Sequence, residues 1–150
     1  MSADTDLIKL YSGKILALAA DIARTERLRN PDATAKKRSP LCGSTVTVDV
    51  NMTDGLISDY GQDVKACALG QAAASVVADA IVGCTPEQVQ TARDQLKDML
   101  KSGGPVPDAP FDGLEVLTPA RDFKNRHASI LLSLDATVDA LEQARTQSCA

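Results

Sequence analysis

The 150-residue sequence contains no tryptophan, and aromatic side chains make up only 3% of it. Alanine, leucine, valine and isoleucine must therefore fill whatever core it forms. The sequence also lacks an excess of positive charge, its formal net charge being −4. Gripping a phosphate backbone needs a basic surface, so broad nucleic-acid binding is excluded. The one basic run, Lys36-Lys37-Arg38, reads as part of a solvated loop. No stretch approaches the roughly 18 apolar residues of a membrane span. The apolar run near the start follows Asp4 and Asp6 and is interrupted by Lys14, which argues against a secretion signal. A soluble, cytoplasmic protein is expected. Cys42, Cys67, Cys84 and Cys149 are then expected to be reduced, and to serve metals or chemistry rather than disulfides. No catalytic triad or phosphate-binding loop is present, so no enzymatic turnover of a small molecule is implied.

What the chain does contain is clear periodicity. At this length it reads as one domain, residues 1–150. Leu7, Ile8, Tyr11, Ile15, Leu18 and Ile22 recur at helical spacing and predict an amphipathic helix from about Asp4 to Arg27. The polar stretch "RNPDATAKKRSP", with a proline near each end, predicts an extended loop. Val46, Val48 and Val50 then alternate with Thr45, Thr47 and Asp49, the pattern of a half-buried strand over Thr45–Met52. "TDG" is a hairpin turn, and Leu56 to Lys65 the returning strand. A lone hairpin is marginal in water and needs a cover. That cover follows as "CALGQAAASVVADAIVG", a helix rich in small residues, with Gly83 at its C-terminal end. In "CTPEQ", Thr85 caps the next helix, Pro86 takes its first position and Gln88 completes a capping box. Val89, Ala92, Leu96, Met99 and Leu100 form its apolar stripe, and "KSGGPVPDAP" breaks it. Phe111 to Leu117 fits no single pattern. A last helix, about Arg126 to Arg145, carries Ile130, Leu131, Leu134, Val138 and Leu141, with Asn125 as a capping residue. The fold class is α+β: a small antiparallel β-sheet packed by several α-helices.

Three side chains have chemistry worth placing. Cys42 precedes the first strand of the hairpin, and Cys67 ends the second strand and opens a helix. Antiparallel pairing sets the start of one strand beside the end of the other, which brings these two thiols together. The exposed N–H groups and dipole at the helix N-terminus suit an anionic sulfur, the form that binds metal. Equally, free cysteines are often small buried core residues. The sole histidine, His127, falls in the first turn of the last helix, where a cation opposes the dipole and neutral imidazole is the better fit. Two cysteines and a histidine with an open position form a known zinc arrangement, and one that suits an iron–sulfur cluster. Alternatively, His127 is a surface or capping residue, since spacing alone does not bring it to the cysteines.

The sequence resembles the U-type iron–sulfur cluster scaffold family, which includes IscU, SufU and the N-terminal domain of NifU. The resemblance runs from Leu7 to Ala144. It rests on "LIKLYSGKIL" with "RNP", on "LCGSTVTVDV", on "ACALGQAAASVVADAIVGCTPEQV" and on "PARDFKNRHASILLSLDATVDAL". The stretch from Leu96 to Pro119 is similar to an insertion of the SufU branch. The resemblance implies a scaffold that binds a [2Fe–2S] cluster, iron or zinc and passes cluster to acceptor apoproteins, with a cysteine desulfurase as sulfur source. The family's ligands are three cysteines and an aspartate, and Cys42 and Cys67 match the first two. Ser44 stands where the aspartate is expected, and His127 aligns with the third cysteine. A one-residue offset would instead make His127 the counterpart of a histidine preceding that cysteine. The ligand set implied for this chain is Cys42, Cys67 and His127. A second reading follows from the same departures: a degenerate scaffold acting as a docking module or accessory subunit of an iron–sulfur enzyme complex, holding structural zinc or no metal. Cys84 and Cys149 match no ligand position.

Overall fold

A computed structural model describes residues 12–40 and 43–148 of the chain. Helix α1 (Gly13–Ala20) leads to strands β1 (Ala33–Arg38), β2 (Thr45–Thr53) and β3 (Leu56–Lys65), then helices α2 (Ala68–Ala80) and α3 (Pro86–Ser102). Two 3₁₀ segments, Asp112–Asp122 and Lys124–Arg126, precede helix α4 (His127–Ser148). Among the described residues the sheet is antiparallel in the order β1-β2-β3.

The β2–β3 hairpin forms as its alternation predicts, from Thr45↔Lys65 at its mouth to Thr53↔Leu56 at its turn. Asp54 and Gly55 both take positive φ, 54° and 79°, as a two-residue hairpin turn requires. Val46, Val48 and Val50 are fully buried on one face. Helix α4 lies over β1 and β2 on that face, while α2 packs against both β3 and α4. The Tyr60 and Thr137 hydroxyls, 2.8 Å apart, tie β3 to α4 inside the core. Helix α3 starts on the Thr85–Gln88 capping box and ends on Gly103 in the left-handed region. All five residues of its expected stripe are buried.

Three expectations are corrected. The opening helix does not continue to Arg27: it stops at Ala20, and its expected residues Leu7, Ile8 and Tyr11 lie outside the described residues. Asp49 holds the chain that follows. Its carboxylate is wholly buried, and it draws in the Arg27 side chain (Nε 2.6 Å, Nη2 3.0 Å), the Leu28 N–H (3.0 Å) and the Thr34 hydroxyl (2.6 Å). A tertiary anchor outweighs helical periodicity here, and the segment 21–32 lies across the second face of the sheet. Gly61, opposite Asp49, makes room for it: a Cβ there would stand 2.4 Å from the Glu26 carbonyl.

The second correction concerns the expected loop, which contains strand β1, Lys36-Lys37-Arg38 included. Its composition is poor in strand formers, but pairing from Ala33↔Val50 to Arg38↔Thr45 supplies the backbone bonds. Ala33 and Ala35 are buried beneath α4, and the exposed cations suit an edge strand. Third, α2 ends at Ala80 before Gly83, whose N–H donates to the Ile57 carbonyl at 2.8 Å and stitches the turn to β3. Around Phe111–Leu117 the chain forms 3₁₀ turns that bury Leu114, Leu117 and Ala120.

Candidate metal centre

The hairpin mouth, the N-terminus of α2 and the first turn of α4 meet in one place. Cys67 follows the end of β3 by two residues and is the N-cap of α2, with φ −67° and ψ 170°. Its half-buried thiol makes no capping hydrogen bond. Instead Sγ lies 3.5 Å from the Ser129 hydroxyl, which donates to the Ser44 hydroxyl at 3.2 Å. Ser44 belongs to the turn between β1 and β2, where the Ser39 N–H donates to the Ser44 carbonyl at 2.8 Å. The close approach of α2 to α4 depends on Gly70, one helical turn after Cys67. A Cβ at Gly70 would stand 2.8 Å from both Ser129 Oγ and Ala66 Cβ.

Cys42, the expected partner of Cys67, lies outside the described residues. Its flanks are described: Gly43, at φ 70°, and Ser44 lead directly into β2 at the mouth that Thr45 and Lys65 close.

His127 is the first residue of α4 and is 2% exposed. Asn125, expected to cap that helix, lies in the 3₁₀ turn before it. His127 Nε2 is 3.0 Å from the carbonyl oxygens of both Ala120 and Arg121. Carbonyls only accept, so Nε2 carries the hydrogen and Nδ1 is left with a lone pair. That Nδ1 is buried and has no hydrogen-bond partner. A ligating histidine has this form: one nitrogen donates to a carbonyl, which orients the ring and leaves the other for the metal.

Cys84 is set apart from this chemistry. It is buried, donates to the Ala80 carbonyl at 3.2 Å, and burial pushes its thiol up, away from the thiolate. Cys149 lies outside the described residues. Among the described residues no three His, Cys, Asp or Glu side chains cluster around one point. The described groups that could each donate to a metal are the Cys67 sulfur, beside Ser129, and the buried His127 Nδ1. A cleft of about 580 Å³, whose lining includes neither Cys67 nor His127, runs between Lys37, Arg38 and Ser39 at the end of β1 and Ala128, Asp135 and Asp139 of α4.

Sequence reasoning brought out Cys67 and the hairpin mouth but missed Ser129. Its only trace is a hydroxyl on an otherwise apolar turn, "HASILL". Asp49 falls on the polar face of the strand and is buried only because segment 21–32 lies over it, which nothing in the local pattern signals.

No protein-family profile and no curated protein sequence matches the chain. Among solved structures it is similar to the N-terminal part of a nitrogen-fixing NifU-like protein from Brucella abortus. The two share 43% identity over 95% of this chain and 99% of that one, with a TM-score of 0.92. A protein from Fervidobacterium islandicum AW-1, described as an iron–sulfur cluster assembly scaffold for the SUF system, shares the fold. It is 19% identical over 89% of this chain and 98% of its own, at a TM-score of 0.79.

Proposed function

This chain belongs to the U-type scaffold family of NifU-like N-terminal domains, and from that membership we propose that residues 1–150 form one scaffold or carrier domain. It binds a [2Fe–2S] cluster, iron or zinc through Cys42, Cys67 and His127, and it passes cluster to acceptor apoproteins. The observation that carries this reading is the buried His127 Nδ1, left without a partner while Nε2 is fixed by two carbonyls. A buried lone pair with no donor facing it is costly unless something occupies it.

Two thiolates and an imidazole leave a fourth position open, which suits a cargo that must be released. Ser44 does not close it, because a serine hydroxyl is a poor ligand at neutral pH. An imidazole in place of a third thiolate removes one negative charge, and a cluster held this way sits at a higher reduction potential than one on cysteines alone. Sulfur comes from a cysteine desulfurase. The cleft beside Ala128, with cations at the end of β1 and carboxylates on α4, is the surface on which a partner's segment would dock.

One observation favours the second reading, in which the domain is a docking module or accessory subunit of an iron–sulfur enzyme complex, with zinc or no metal. The Ser129 hydroxyl lies against the Cys67 sulfur and donates to Ser44, and no carboxylate takes part in that chain. The two readings separate in one experiment. The protein is reconstituted anaerobically with iron and sulfide, mixed with an apoferredoxin and followed by visible circular dichroism. Appearance of the ferredoxin spectrum supports the carrier. A protein that takes up no cluster yet purifies in a stable complex with an iron–sulfur enzyme supports the docking module.

A further inference from the structure

Resting on the proposed metal site, we infer that Ser129 is a positioning residue for Cys67: its hydroxyl turns from Ser44 to the Cys67 sulfur when that sulfur binds metal. The three polar atoms form a short chain, with 3.5 Å between Cys67 Sγ and Ser129 Oγ and 3.2 Å between Ser129 Oγ and Ser44 Oγ. Ser129 is 1% and Ser44 5% exposed, so these hydroxyls find their partners inside the protein rather than in water. Gly70 keeps the gap between α2 and α4 free of any side chain, since a Cβ there would strike Ser129 Oγ.

In the metal-free thiol the hydrogen bonds run one way. The Ser129 O–H donates to Ser44 Oγ, which leaves Ser129 Oγ to accept from the Cys67 S–H. Coordination changes the first link. Were Cys67 to hold a metal, its sulfur would give a lone pair to that metal, its proton would leave to water, and it would have no hydrogen left to donate. A serine hydroxyl is a rotor with one donor and two acceptor lone pairs, so Ser129 can reverse without moving its backbone. It then donates to the coordinated sulfur, stabilising its charge and fixing its direction. Ser44 competes for the same hydrogen in the metal-free state. The two serines therefore have opposite effects on metal binding.

The test is an anaerobic titration of the reduced full chain with cobalt(II) as a spectroscopic stand-in for zinc, following the thiolate-to-cobalt charge-transfer band. Ser129→Ala is expected to weaken binding roughly tenfold and to shift that band, as loss of an outer-shell partner does. Ser44→Ala, which frees the Ser129 hydroxyl to face the sulfur, is expected to bind more tightly than the wild type. A serine pair that merely packs would move both variants in the same direction. Wild-type affinity and an unshifted band in Ser129→Ala overturn the inference, as does equal weakening in the two variants. Should Ser129→Ala not fold, the sign of the change in Ser44→Ala decides alone. Absence of any charge-transfer band in the wild type overturns the metal site itself, and the inference with it.

Discussion

Two carbonyl oxygens, those of Ala120 and Arg121, decide which nitrogen of His127 carries a hydrogen, and so which one faces the interior bare. Asp49 is the opposite case, a buried group with every oxygen engaged. Burial pushes its carboxyl up, but hydrogen bonds from Arg27, Thr34 and the Leu28 N–H outweigh that and hold it below the ordinary carboxylate range. Arg27 is itself half exposed, which tempers the worth of the pair. Asp49→Asn is expected to cost about 2 kcal/mol at neutral pH, measured by urea unfolding. Because the folded pKa is lowered, the stabilisation is complete above the unfolded carboxylate's pKa and is lost as pH falls through the folded value. The gap between wild type and Asp49→Asn should therefore shrink as unfolding is measured at progressively more acid pH. A gap that stays constant into acid would show that the ionised form of Asp49 is not what stabilises the fold.

The elements differ in how local their causes are. The capping box of α3 is wholly local, with Thr85 Oγ1 accepting from the Gln88 N–H at 3.2 Å and Gln88 Oε1 from the Thr85 N–H at 2.8 Å. Thr85→Ala is expected to lower stability by about 1 kcal/mol without altering metal content, as thermal unfolding beside metal analysis would report. The segment 21–32 has remote causes. In Gly61→Ala the new methyl meets the Glu26 carbonyl and the Leu28 backbone, so this segment must lift from the sheet. Trypsin should then cut at Arg24, Arg27 or Arg29 well before it cuts elsewhere, whereas the wild type resists there. Equal digestion patterns would contradict the anchoring. The same contrast explains what could be read beforehand. The hairpin declared itself through Val46, Val48 and Val50 and the Asp54-Gly55 turn, each a short-range signal. Strand β1 did not, because Ala-Thr-Ala-Lys-Lys-Arg becomes a strand only by pairing with β2 and lying under α4. Nor did the path of the chain after α1, which Asp49 holds through Arg27 and the Leu28 N–H.

At the scale of the whole molecule, the sheet and helices bring the mouth of the hairpin, the start of α2 and the start of α4 to one point. Antiparallel topology made the approach of Cys67 to the start of β2 readable in advance. The bonds of His127 and Ser129 were not readable, because they depend on the 3₁₀ segment and on Gly70, both products of packing. No helix among the described residues is long and apolar enough to cross a membrane. The central claim is that Cys42, Cys67 and His127 hold metal or cluster together. Its most direct test is the metal and acid-labile sulfide content of anaerobically purified protein, beside Cys42→Ala, Cys67→Ala and His127→Ala variants of unchanged fold. Bound iron with sulfide, or zinc, that is lost in all three variants is the predicted result. Metal retained in any one of them, or absent from the wild type, would contradict it.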